Sequence, residues 1–429
     1  MKKIIFFLIG IVCCDIIAAQ GSYTLQQLKD SALCNNIAIR TARYDIEAAQ
    51  QQRKEAFTKY FPNVSGMGAW FNADKGMAKM NINPISISMM KNGMIGSLTA
   101  MQPVFAGGQI VNGNRLAKVG EDVSRLQLRL SENEVEKTTE QYYWQLISLQ
   151  EKTKTIAAVD TMLADIEKDV KVAVKAGVAL HNDLLQVQLR RNDVASQRLK
   201  LENGISIVRL LLAQFCGLQT LPQPLPVREG SIYSEGGKDA EELTTPLPHR
   251  EGLEVGLLPE YQLLQKQVEA TKLQKKMAIG QQLPSVAVGA GYNYHNLLDN
   301  DHTFAMVYAT VSVPISDWWG GSHAIKRRKI EQQKAEEQLI DNAELLQIRM
   351  QNARNSVVEA TEQLTIAQRS IQQAEENLRL YRNYYRAGTC TMSNLLEAQM
   401  LYQQALDKYT DAYADLQNKQ LEYRQSIGQ

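Results

Sequence analysis

Residues 149–188 read LQEKTKTIAAVDTMLADIEKDVKVAVKAGVALHNDLLQVQ, and the period of this stretch decides the fold. Leu149, Ile156, Val159, Leu163, Ile166 and Val170 recur at seven-residue spacing split as three and four, the pattern of a coiled-coil seam. The pattern stops at Ala176-Gly177-Val178 and resumes through Leu184, Val187, Val194, Leu201, Ile205, Val208 and Leu212. No proline falls between Ile110 and Gly217. The spacing predicts one long helical hairpin with its tip at Gly177. The same design returns from Gly321 to Gly428 with its tip at Gly388. Its seam runs through Leu364, Ala367, Ile371, Ala374, Leu378, Tyr381 and Tyr385, then Leu395, Ala398, Tyr402, Ala405, Tyr409, Ala412 and Leu416. In both copies the tip glycine precedes the closing glycine by 40 residues. An arm of roughly 65 residues would span on the order of 100 Å, longer than a globular domain requires.

Outward from each hairpin the period changes to two. Val64 to Phe71 and Met94 to Val104 read as strands, separated by a polar, Met-rich segment, 72–92, that reads as a loop. Val286–Tyr294 and Thr303–Ile315 read as the second pair. In the latter, Ala305, Val307, Ala309, Val311 and Val313 alternate with Phe304, Met306, Tyr308, Thr310 and Ser312. Each run has the nine to eleven residues of a tilted membrane strand. Pro62 and Pro284 precede the strands, and Gly107-Gly108 and Gly320-Gly321 read as sharp strand-to-helix turns. Before the first strand pair come two helices. Thr24 is the expected N-cap of the first, with Gln27 completing a capping box, and Asn35-Asn36 breaks it. The second runs from Ile37 to about Lys59 and stops ahead of Phe61-Pro62.

Leu283-Pro284-Ser285-Val286 matches Phe61-Pro62-Asn63-Val64, and Glu269-Ala270 matches Glu47-Ala48, at one constant offset. The chain therefore reads as a tandem duplication of helix, two strands and long helical hairpin. The repeats occupy 20–217 and 257–429. Between them, 218–256 is a Pro/Gly-rich linker in which PLPVREG (224–230) and PLPHREG (246–252) repeat. It reads either as an insertion of repetitive origin or as an ordinary linker. Residues 1–19 have the charged start, short apolar core and small-residue end of a secretory signal. A second reading makes Cys13 or Cys14 a lipidated cysteine, although Gly10-Ile11-Val12 is a poor approach to such a site. Four strands are too few for a barrel and leave open edges, which lipid forbids. Three copies would supply twelve strands.

Hydrophobic residues at 44% and charged residues at 22% exclude a disordered chain. A net charge of +1 excludes a general nucleic-acid binder. No apolar window reaches eighteen residues beyond the N-terminus, so no transmembrane helix is expected. Cys34, Cys216 and Cys390 are too widely separated to form a disulfide framework. None of the five histidines has a metal-ligand spacing. His295 and His302, with Asp299 and Asp301, flank a polar loop and could touch a cation, but loop composition explains them as well. No nucleophile–base motif is present. The expectation is no enzyme, no cofactor and no resident metal.

The chain resembles the TolC-like outer-membrane efflux proteins over nearly its whole mature length. The motifs that carry the resemblance are Thr24-Leu25…Leu28…Asn35-Asn36, Phe61-Pro62, Leu283-Pro284, Gln102-Pro103-Val104-Phe105…Gly107-Gly108 and Val313-Pro314-Ile315…Gly320-Gly321. At the tips they are Ala176-Gly177…Asp183-Leu184-Leu185…Gln188 and Ala387-Gly388…Leu395-Leu396-Glu397-Ala398-Gln399. The resemblance implies a mainly helical protomer with four strands. As a homotrimer it would form a twelve-stranded β-barrel in the outer membrane of a Gram-negative bacterium, continuous with a periplasmic helical barrel. It implies a passive exit duct that meets outer-membrane lipid, a periplasmic adaptor (membrane fusion) protein and an inner-membrane pump of RND or ABC type. It also implies a periplasmic gate at the tips, for which Gly177, Asp183, Tyr385, Gly388, Cys390, Asn394 and Glu397 are the matching positions. Tyr385 and Asp183 match a tyrosine and an aspartate of the family's lock. Cys390 stands where an arginine would be and Asn394 replaces another aspartate, which puts an arginine-centred lock in doubt. The alternative class is a periplasmic coiled-coil adaptor or scaffold without a membrane barrel, which would share the hairpins but not the strand pairs.

Overall fold

A computed structural model describes residues 22–75, 78–82, 85–89, 92–218, 223–224, 256, 258–296, 301–315 and 317–428. The expected signal segment, Cys13 and Cys14, and nearly all of the linker lie outside the described residues. The elements in order are β1 (Ser22–Tyr23), α1 (Leu25–Asn35), α2 (Ile37–Thr58), β2 (Asn63–Asn72), β3 (Ala78–Ile82), β4 (Ile85–Met89), β5 (Asn92–Ala106), α3 (Gln109–Lys175) and α4 (His181–Cys216). They continue with β6 (Gln223–Pro224), α5 (Pro259–Gly280), β7 (Ser285–Asn296), β8 (Asp301–Ser312), α6 (Asp317–Arg386) and α7 (Met392–Ser426). None of the described helices is long and apolar enough to cross a membrane.

The chain divides into two compact units that cut across the sequence repeats. Of the described residues, one takes those within 22–42, 128–259 and 344–428; the other takes those within 43–127 and 260–343. In the first, the four arms of the two hairpins pack on their predicted seams. Ile156, Val159, Leu163 and Val170 of α3, Val187 and Val194 of α4, Leu378 of α6 and Leu395 of α7 form one buried cluster. Leu364 and Ala412, also expected on the seam, are partly buried. A second cluster seats α1 on the other end of the first hairpin, through Leu28, Ala32, Leu146 and Leu212. Lys29 reaches Glu140 there at 2.5 Å, with the glutamate almost fully buried. Thr24 caps α1 in the expected capping box with Gln27.

The second unit holds a four-stranded antiparallel sheet in the order β2-β5-β7-β8. The register sorts its side chains into two faces. One carries Val64, Trp70, Leu98, Tyr292, Val307 and Val311; the other, more polar, carries Ser65, Ser97, Thr99, Asn293, Thr310 and Ser312 together with Met67, Ile95, Met101, Phe304 and Met306. The apolar face is uncovered in the protomer: Val307 is 85% and Trp70 72% exposed.

Two expectations need correction. The segment 72–92 is not a loop throughout: β3 and β4 pair antiparallel within it. The alternation in Ile85-Ser86-Ile87-Ser88-Met89 signals this. Asn83-Pro84, of the kind that reads as a breaker, falls between the two strands. Gly320 and Gly321 are not turn residues but lie within α6. The chain reverses earlier, at 313–315, where the Ile315 N–H donates to the Val313 carbonyl at 3.0 Å. A Cβ at Gly321 would meet only the end of the Gln282 side chain, at 2.1 Å, a flexible group that can turn aside. Gly107 and Gly108 do make the expected turn, at φ +60 and +75. β5 also runs past Pro103 to Ala106 by a register shift between Pro103 and Phe105, which absorbs the donor that proline lacks.

Candidate functional site at the hairpin tips

Both tips are built the same way. At the first, the Gly177 N–H donates to the Val174 carbonyl and the Val178 N–H to that of Ala173, each at 3.0 Å. At the second, Gly388 donates to Tyr385 at 3.0 Å and Thr389 to Tyr384 at 2.9 Å. These are paired helix-terminating bonds that need a left-handed residue, and Gly177 (φ +75) and Gly388 (φ +71) supply it. The returning helices start differently. Thr391 caps α7 in a capping box with Asn394. Leu180 gives α4 no side-chain cap, and Asp183 stands in its first turn, where the helix dipole favours a carboxylate.

Between the tips lies a cleft of about 770 Å³. Asp183, Tyr385, Gly388 and Cys390 of the expected gate set line it. Burial pushes the Tyr385 phenol above its ordinary value, with the Asp183 charge adding to it, so the hydroxyl stays protonated. Burial likewise raises the Cys390 thiol, whose Sγ lies 3.6 Å from the Tyr381 carbonyl. A thiol so placed is a weak donor and not a nucleophile. Three expected residues are outside the lining: Gly177 forms the first turn, and the other two are placed elsewhere. The Asn394 side chain is taken up by the capping box, and Glu397 is exposed on α7 outside the cleft lining.

The cleft also collects charges that the motif comparison missed. Asp165 and Asp169 line it from α3, one turn apart, and Arg382 and Arg386 line it from α6. The i, i+4 spacing within each pair was available in the sequence as a signal. Nothing in the sequence said that the pairs would face one cleft.

Behind the cleft, polar side chains tie the returning helices together. Ser393 donates to Gln186 at 3.2 Å. Arg190 donates to Gln399 at 3.1 Å and to Gln403 at 2.9 Å, and Gln403 donates to Gln197 at 2.9 Å. Gln399 is fully buried. Within the first hairpin Glu167 is held by Lys171 at 2.7 Å, Arg191 at 2.7 Å and Gln188 at 3.1 Å. Those partners, Lys171 first, depress its carboxyl to about 2. No group of three or more His, Cys, Asp or Glu that could hold a metal forms among the described residues.

Residues 259–429 match the family model described as outer membrane efflux protein. A search of curated proteins finds no match to the sequence. Solved structures match across almost the whole chain. The outer membrane protein VceC from Vibrio cholerae has a TM-score of 0.76 at 14% identity, covering 94% of this chain and 96% of that one. The Campylobacter jejuni CmeC outer membrane channel gives 0.77 at 15%, covering 96% and 90%. CusC gives 0.81 at 15%, covering 96% and 95%. The second repeat thus carries the sequence of the outer membrane efflux protein family, and the chain as a whole has the fold of the TolC-like outer-membrane channels.

Proposed function

We propose that the protein is the outer-membrane exit channel of an efflux or secretion system, closed by three copies of the chain. The observation that carries this reading is the sheet of β2, β5, β7 and β8. It has one uncovered apolar face and one more polar face, on which Ser, Thr and Asn residues are mixed with Met67, Ile95, Met101 and Met306. Its two edge strands, β2 and β8, are each paired on one side only among the described residues, with β5 and β7. Water does not tolerate a broad apolar face, and lipid does not tolerate an open edge. Self-association into a closed wall answers both, with the apolar face toward lipid and the polar face toward a lumen. A soluble coiled-coil scaffold would have no use for such a sheet.

In this reading the tip cleft is the gate. Tyr385 and Asp183 hold the second hairpin against the first, and Arg382 and Arg386 supply the cationic partner that position 390 lacks. Cargo is delivered by an adaptor and an inner-membrane pump, and the channel conducts passively. Membrane fractionation followed by native mass measurement in detergent tests the assembly. The expected result is a detergent-requiring trimer that resists a high-salt wash; a monomer in the soluble fraction would refute it. Planar-bilayer recording tests the gate. Asp183→Ala is expected to raise conductance or alter block by cations, and an unchanged record would remove Asp183 from the gate.

A further inference from the structure

We propose that His295 and His302 form a two-histidine site for a divalent transition-metal ion. The pair sits on the polar face of the sheet, at the end far from the helices. The two residues are direct cross-strand partners in the β7–β8 register, so their side chains leave the same face side by side. Their ring centroids are 5.5 Å apart, with the rings at 70° to each other. An ion bonded to a nitrogen of each ring would hold two imidazole centroids roughly 5 Å apart at tetrahedral bond angles. The pair is therefore close to chelating geometry without moving the backbone.

A second, independent observation points to a ligand. The Nδ1 atom of His295 is buried with no hydrogen-bond partner among the described residues. A buried polar atom of this kind carries a desolvation cost that a bound ion would offset. Phe304, which pairs with Asn293 one step along the face, lies 6.2 Å from His295 and 6.3 Å from His302, ring to ring.

The register also defines the ligand set. Asp301 faces the other way: its carboxylate accepts from the Tyr294 hydroxyl at 2.9 Å and from Asn296 at 2.8 Å on the opposite side of the sheet. Asp299 lies outside the described residues. Among the described residues the site offers two imidazoles, a donor set that suits Cu²⁺, Ni²⁺ or Zn²⁺ rather than Ca²⁺ or Mg²⁺. Bridging β7 and β8, an ion would also fasten the far end of that hairpin.

The site stands on the hairpin alone and does not require the channel reading. It is tested on the untagged full chain in detergent with one equivalent of Cu²⁺, read by electron spin-echo spectroscopy, and with Zn²⁺, read by thermal unfolding. The expected result is a Cu²⁺ signal coupled to two imidazole nitrogens and a rise in unfolding temperature with Zn²⁺. Both are lost in His302→Ala and in His295→Gln, and both are kept in His181→Ala and His323→Ala. His302 is exposed, so its replacement does not threaten folding. A signal that survives in His302→Ala, or wild-type protein that binds no Cu²⁺, would overturn the proposal. Either result leaves the trimer and conductance tests untouched.

Discussion

Asn36 ends one helix, begins a second and closes a third. Its N–H donates to the Ala32 carbonyl at 2.8 Å, its side-chain oxygen accepts from Ala38 at 2.8 Å, and its side-chain amide donates to the Phe215 carbonyl at 2.9 Å. The first two roles are local, and a break at Asn35-Asn36 was legible. The third joins residues far apart in sequence and was not. The glycines divide in the same way. Gly177 has a left-handed backbone but nothing within 4 Å of where a Cβ would stand. Gly177→Ala is therefore expected to cost only the conformational penalty, about 1–2 kcal/mol. At Gly107 a Cβ would stand 2.1 Å from the Gly280 carbonyl oxygen. Gly107→Ala adds that clash and is expected to be clearly the more damaging. Chemical denaturation of the two variants checks the order; equal midpoints would contradict it.

At the scale of the element, the seams behave as their period requires, and charge holds their flanks. Glu167 is 9% exposed and tied to Lys171 and Arg191. Its carboxyl falls from 4.5 to about 2 in the folded chain. A depressed folded value means stability that is complete above the unfolded pKa and is lost as pH falls toward the folded one. The window is therefore from about pH 4.5 down to about pH 2. Both cationic partners keep substantial exposure, so solvent screening reduces the contribution to about 1–2 kcal/mol. Thermal melts across that window are expected to fall less steeply for Glu167→Gln than for wild type, and identical slopes would rule the ion pair out as the cause. The linker belongs to this scale too. Long surface insertions cost little, so deletion of 227–249 is expected to leave folding and export intact. Loss of trimer in the outer membrane would show that the segment is not an insertion.

For the whole molecule, the sheet faces make opposite demands on adjacent residues of one strand. Val307 lies on the apolar face and Met306 on the polar one, side by side in β8. If the apolar face meets lipid, Val307→Arg is expected to cost about 2–4 kcal/mol near mid-membrane depth, while Met306→Arg is tolerated. Outer-membrane yield of trimer for the two variants measures this; equal yields would place the face elsewhere. The compact units reinforce the point. Each draws on both repeats, so neither repeat is a separate folding unit in the contacts it makes.

The amino-acid sequence alone determined what repeats locally. The three-four spacing fixed both hairpins and their tips, the period-two runs fixed β2, β5, β7 and β8, and Thr24 and Pro62 fixed ends of elements. Each of these depends on a few neighbouring residues obeying backbone geometry. The tertiary structure decided what distant segments do to one another. β5 lies beside β7, Arg382 and Arg386 share a cleft with Asp183, and His295 faces His302 while Asp301 turns away. It also put Gly320 and Gly321 inside a helix and gave Asn394 to a cap. These outcomes follow from register and packing between segments, in which a shift of one strand residue exchanges the two faces, and no local period encodes that choice.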